Sequence, residues 1–274
     1  MARFSERYAY VSNVIVKDYL PKSLQNELHN WMLSVIEKDI LCFYDLNYDF
    51  WVNFLFEKKE FFPDIYNCYE SPIIEYIDND DIEWYKKLDA IEYVFYSQQQ
   101  QYNITDIGRW DKEFNNILKR HNFAYRFING LFIEVTSDEE CVSINGAINN
   151  PLEGVRSHLK TALEKLSASQ PHPDYRNSIK ESISAVECLC RNITNESTLD
   201  RALKKLESKG IVLNAQMKKG LENLYYYTND GNTGIRHALM DDMNAPCADE
   251  AIFMLVSCSA FINYITKKIS NNGN

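Results

Sequence analysis

Asp174-Tyr175-Arg176-Asn177-Ser178-Ile179-Lys180-Glu181-Ser182-Ile183-Ser184-Ala185-Val186-Glu187 carries the pattern from which the architecture is read. Ile179, Ile183 and Val186, continued by Leu189 or Cys190, recur at three- and four-residue intervals, which makes one helix face apolar. Pro173 is expected in the first turn, where its missing N–H is not needed, and the spacing predicts a helix over 173–193. Glu187 falls at the edge of the apolar stripe.

Working outward, segment 153–168 is amphipathic and ends at the break Ser167-Ala168-Ser169-Gln170-Pro171. Segment 197–209 opens on a Ser or Thr cap and closes at Gly210. Segment 214–228 places Met217, Leu221, Leu224 and Tyr225 on one face, and 248–269 reads as a last, mostly apolar helix capped near Cys247. Between these two helices lies Leu224-Tyr225-Tyr226-Tyr227-Thr228-Asn229-Asp230-Gly231-Asn232-Thr233-Gly234-Ile235-Arg236-His237-Ala238-Leu239. This polar, glycine-bearing loop is expected to deliver Arg236 and His237 into the first turn of a helix. Arginine can grip a phosphate through paired hydrogen bonds, histidine moves a proton near neutral pH, and a helix N-terminus favours an anion.

Upstream of Asn149-Asn150-Pro151 the character changes. All four tryptophans and most of the dense aromatic residues fall there. Segments 22–40, 82–96 and 107–121 have helical spacing. Asn129-Gly130, flanked by Tyr125-Arg126-Phe127-Ile128 and Leu131-Phe132-Ile133-Glu134-Val135, is a hairpin-turn signal. Ser137 and Glu140 are spaced like a capping box. The expected fold class is mainly α: an N-terminal α+β domain over 1–150, made of helices plus one β-hairpin, followed by a C-terminal helical bundle over 151–274.

The net charge of −10 is unevenly placed. Residues 1–150 hold 14 basic against 25 acidic residues, a net −11, whereas 151–274 are nearly neutral at +1. Within 176–219, nine basic residues that include Lys204, Lys205, Lys218 and Lys219 face five acidic ones. A basic face beside an Arg-His loop is compatible with RNA, although an ordinary solvated helix face has the same composition. Tyr227 is a candidate for stacking on a base, and Asn232 for a polar contact beside it. Seven scattered cysteines without a Cys-x-x-Cys pair argue against a disulfide framework or a thiolate metal site. His29, His121, His158 and His172 have no metal-ligand spacing, and no phosphate-binding loop for nucleotide hydrolysis is present. The charged start Met1-Ala2-Arg3-Phe4-Ser5-Glu6-Arg7 lacks the apolar core of a signal peptide, and no apolar run approaches the roughly 20 residues that cross a bilayer. Cytoplasmic residence with no membrane contact and no cofactor is the expectation.

Two sets of residues resemble a known family. Arg3-Phe4-Ser5-Glu6-Arg7-Tyr8-Ala9-Tyr10 is similar to the start of the N-terminal domain of AbiJ-type abortive-infection proteins. Asp174–Glu187, Gly234-Ile235-Arg236-His237-Ala238 and Phe253-Met254-Leu255-Val256-Ser257-Cys258-Ser259-Ala260-Phe261-Ile262-Asn263 resemble the HEPN-like helical domain that accompanies it. The resemblance implies an antiphage protein whose bundle is a metal-independent endoribonuclease, acting as a homodimer through the C-terminal domain. It also implies a sensor or regulatory role for the N-terminal domain, with a phage-derived trigger or a regulatory protein as partner. The usual HEPN signature separates arginine from histidine by four to six residues. Here the two are adjacent, and counting forward from Arg236 reaches Asp241, Asp242 or Met243.

In such a reaction the RNA 2′-hydroxyl is the nucleophile, so the protein must move protons and stabilise charge on phosphorus. His237 is the expected general acid or base, Arg236 the phosphate ligand, and Glu187 the carboxylate that orients either. The alternative on the same residues is structural: Arg236 pairs with Glu187 or Asp241 and ties the loop to the bundle. At the level of function, the alternative is a non-catalytic RNA- or protein-binding and dimerisation module that senses a phage component.

Overall fold

The computed structural model describes residues 15–38, 40–67, 70–102, 107–135, 137–167, 173–231, 233–236 and 245–272. The chain separates into two compact units, one ending at residue 136 and the other running from Ser137 to Asn274. The described residues are mainly helical, with one two-stranded hairpin.

In the first unit, α1 (Lys22–Lys38) packs on α2 (Ile40–Asp49), α3 (Pro72–Asp78) and α5 (Ile107–Arg120). The helix α2 runs straight into a π-helical turn, Phe50–Phe54, and α4 (Trp84–Tyr102) packs on that turn and on α3. Neither α2 nor α3 is anticipated by the sequence reading. The helix α3 nevertheless has an ordinary start, since the Ser71 hydroxyl accepts from Ile74 N–H and Pro72 occupies the first turn. The core is aromatic. Trp31 stacks on Phe95 with centroids 5.4 Å apart, and Phe114 meets Trp31, Phe95, Phe127 and Phe132.

The expected hairpin forms from β1 (Arg126–Ile128) and β2 (Leu131–Ile133), with Phe127 opposite Phe132. Asn129 and Gly130 both take positive φ, 51° and 88°, as a tight two-residue turn requires. Three side chains from the helices brace this ribbon. Glu92 accepts from Phe132 N–H, Asp111 accepts from Asn129 N–H, and Asn115 exchanges two hydrogen bonds with the Phe127 backbone. Burial pushes both acids up to about 7.

In the second unit, α6 (Asp138–Ile148), α7 (Glu153–Leu166), α8 (Tyr175–Thr194), α9 (Leu199–Lys205), α10 (Ala215–Asn229) and α11 (Ala248–Asn272) form a bundle. The long helix α8 is central, touching α7, α9, α10 and α11. Its apolar stripe buries Ile179, Ile183, Val186, Leu189 and Cys190, as its spacing predicts. One boundary moves: Pro173 lies before the cap, because the Asp174 carboxylate accepts from Asn177 N–H and the helix starts at Tyr175, two residues later than expected. The helices α7 and α8 approach closely at Gly154, where a Cβ would stand 2.6 Å from Cys188 Sγ. Caps at Ser137 and Thr198 fall where the sequence places them, and Asn214 caps α10 by accepting from Gln216 N–H. Met217 departs from its expected place on the apolar face of α10 and is exposed, while Leu221 is buried.

The helix α11 also corrects the expectation that no stretch reaches bilayer-crossing length. Its residues Ala248–Asn271 are long and apolar enough to span a membrane, with a mean hydropathy of 1.3 over the most apolar 18-residue window. Its buried residues, Ala251, Met254, Leu255, Cys258, Ile262 and Ile265, recur at the spacing of a single face packed on α6, α7 and α8. The same composition therefore serves as a core-facing helix of the bundle.

Candidate functional site

The last turn of α10 and the short segment behind it are folded against α8. The Thr228 hydroxyl donates to Tyr225 C=O, and Thr233 curls the chain by donating to Asp230 C=O at 2.8 Å. Gly234 then takes φ 63°, a left-handed value that glycine adopts without strain. Arg176 in the first turn of α8 donates to Gly234 C=O at 2.9 Å, and Ile235 is buried beside it. The next side chain, Arg236, reaches Glu187 in the second half of α8.

Arg236 is held on three sides. Its Nη2 lies 3.0 Å from Glu187 Oε1, its Nε donates to Thr228 Oγ1 at 3.2 Å, and its guanidinium carbon stands 5.3 Å from the Tyr225 ring centroid. Both members of the ion pair are largely removed from water, with side-chain exposures of 22% and 18%. Nη1 is left without a partner among the described residues. A planar guanidinium fixed on one edge by a carboxylate and on one face by a ring presents its free edge in a defined direction.

Of the residues singled out from the sequence, Arg236 and Glu187 are brought together across 49 positions of chain. His237 and Asn232 lie outside the described residues, as does the helix expected to begin after the loop. Lys204 and Lys205 on α9 are exposed and paired, with Asp200 at 2.8 Å and Glu196 at 2.8 Å. The fields of Glu222 and Tyr226 reach Lys204, which sets α9 beside α10. Lys218 and Lys219 lie near the start of α10, the former half-buried and the latter exposed. Tyr227 is half-buried; burial first, then Glu250 and Cys247, pushes its hydroxyl pKa up. Its neighbour Tyr226 is the exposed ring.

The sequence reading counted Arg176 only as a positive charge and had no role for Thr228. Neither has a motif, because each acts through a single contact with a segment remote in sequence. Cys190 and Cys258 are pushed up to about 12 by burial, so these thiols are not poised as nucleophiles. Among the described residues no group of three or more His, Cys, Asp or Glu side chains is arranged to hold a metal ion.

No curated protein and no solved structure matches the chain. A family model described as AbiJ N-terminal domain 4 matches residues 2–150, which takes in the ring-packed unit, its braced hairpin and α6. More than half of the sequence lies within that match, and the chain belongs to the AbiJ N-terminal domain 4 family.

Proposed function

We propose that this chain is a cytoplasmic antiphage effector in which residues 1–150 sense or regulate and residues 151–274 form a HEPN-like bundle that cleaves RNA without a metal. The AbiJ-family domain suggests an abortive-infection function, and the ribonuclease reading rests on the Arg236–Glu187 contact immediately before His237. In the proposed reaction the RNA 2′-oxygen forms a bond to the adjacent phosphorus and the P–O5′ bond breaks. The products are a 2′,3′-cyclic phosphate and a 5′-hydroxyl end. His237 takes the 2′-hydroxyl proton or supplies one to the departing 5′-oxygen, a contribution of about 10²–10⁴-fold. Arg236 offers Nη1 to a non-bridging oxygen while Glu187 keeps the guanidinium oriented. A twofold dimer supplies a second histidine, so that one subunit's group can act as base and the other's as acid.

Lys204 and Lys205 fit a phosphate-tracking role, because both lysines are exposed and such surface pairs are weakly held and readily exchanged. In this reading Lys218, Lys219 and Tyr227 of α10 also contact the RNA, with Asn232 in the loop.

One observation favours a second reading. Arg236 is already neutralised by Glu187 and covered by Tyr225, which is also how a purely structural arginine would be held. In that case the bundle dimerises or binds RNA without cutting it. Phage plating and growth on induced expression separate the two. A ribonuclease loses toxicity and protection in both His237→Ala and Arg236→Lys, whereas a binding module keeps protection in His237→Ala. Full protection by His237→Ala would reject the catalytic reading.

A further inference from the structure

The first unit contains a pocket of about 420 Å³ between the chain entering α1 and the start of α4, with Tyr19, Lys22, Gln25, Asp80, Trp84 and Lys87 in its walls. Its volume is in the range of small-molecule sites. What distinguishes it is Lys87. The residue is only 3% exposed, yet its ammonium makes no hydrogen bond or ion pair with any described residue. Unpaired lysines are rarely buried to this degree, because desolvation disfavours the charge unless a partner is present.

The neighbouring charges do not supply that partner. Lys22 lies 2.6 Å from Asp80, and Lys86 2.5 Å from Glu83. Asp78 and Asp80 both act on Lys87 through space, but Asp78 contacts His29 at 2.8 Å and Asp80 is shared with Lys22 and Gln25. Desolvation lowers the Lys87 pKa despite those carboxylates, and Lys22 lowers it further. With Lys22 in contact with Asp80, Lys86 with Glu83 and Asp78 with His29, Lys87 is the pocket lysine that touches no carboxylate among the described residues. Two rings complete the walls: Tyr19 is exposed, and Trp84 is half-buried, tilted against Tyr125 and edge-on to Phe123.

We propose that this pocket binds a small phosphate-bearing ligand with a planar ring, of mononucleotide size, its phosphate on the Lys87 ammonium and its ring against Trp84 and Tyr19. Lysine serves phosphate as a point charge, and the indole and phenol faces accept any base without reading its edges. The site would give the N-terminal domain a small-molecule input, and it stands whether or not the bundle cuts RNA.

Calorimetric titration of the full chain with AMP, GMP, CMP and UMP, alongside adenosine and inorganic phosphate, tests it. At least one mononucleotide is expected to saturate one site per chain, with adenosine and phosphate each at least tenfold weaker. Lys87→Met keeps the buried stem, removes the ammonium and should weaken nucleotide binding at least tenfold, with an unfolding midpoint equal to or above wild type. Asp80→Asn, at an exposed position, frees Lys22 for the ligand and should tighten binding. Failure of all four nucleotides to bind at millimolar concentration would overturn the proposal. So would unchanged affinity in Lys87→Met, or weaker binding in Asp80→Asn.

Discussion

In the unit that ends at residue 136, the core is built from rings: Trp31, Phe50, Phe95, Phe114, Phe123 and Phe127 are buried together. In the unit from Ser137, the buried residues are Val155, Leu159, Leu163, Ile179, Ile183, Leu255, Ile262 and their like, and no ring is buried among the described residues. Buried polar groups differ in the same way. The first unit places carboxylates under its hairpin and leaves an ammonium in a pocket without a contact partner among the described residues, whereas the second matches Arg236 to Glu187 beside a loop. Ring packing holds a small hairpin and a concave pocket in place; aliphatic stripes give extended surfaces between helices, and the Arg236–Glu187 pair forms where the segment after α10 meets α8.

The contrast can be broken at several points, starting with the largest effect. Phe114→Ala removes a ring that meets four others and should cost about 3–5 kcal/mol. All four tryptophans lie in residues 1–150, so urea unfolding followed by tryptophan fluorescence reads that half. A loss below about 1 kcal/mol would mean that the ring cluster is not the core described.

The next effect is a pH dependence confined to the ring-packed unit. Glu92 and Asp111 are raised from ordinary carboxylate values to about 7 by burial. Groups with raised folded pKa values contribute stability that is complete below the unfolded values, near 4, and lost as pH rises through 7. Tryptophan-detected stability should therefore fall between about pH 4 and 7, by on the order of a few kcal/mol, and level off above that. A flat profile would show that the two acids are not buried as described.

Smaller still is Glu187→Gln in the bundle, which leaves the guanidinium one neutral acceptor and should cost about 1–2 kcal/mol. Far-ultraviolet circular dichroism during urea unfolding would measure it, and a Tyr225→Leu background should enlarge the loss. At the bottom of the scale, Lys205→Ala removes an exposed ion pair and should leave the unfolding midpoint unchanged. If RNA binds, it should instead reduce the salt dependence of binding, measured by filter retention across a salt series.

The same contrast explains what could be read from the sequence. Aliphatic residues at helical spacing gave away α8, and paired turn residues gave away the hairpin, because Asn129 and Gly130 must both take positive φ. The helix α2 with its π-helical turn escaped, since residues 43–56 carry rings on several sides and no period dominates. Glu187 was visible as a charge at the edge of a stripe, but its meeting with Arg236 depends on how Thr233 and Gly234 turn the chain. Lys87 could not be found in advance. Trp84-Tyr85-Lys86-Lys87 reads as an ordinary helix start, and only Tyr19 and Gln25, brought in from some 60 to 70 residues away, make a pocket of it.

The central claim concerns the arginine site, and mapping RNA ends in phage-infected cells that express wild type or His237→Ala tests it most directly. New 2′,3′-cyclic phosphate ends should accumulate with wild type and fall by about 10²–10⁴-fold in the variant at equal protein level. Equal accumulation in both, or no new cyclic ends with a wild-type protein that still protects, would contradict it.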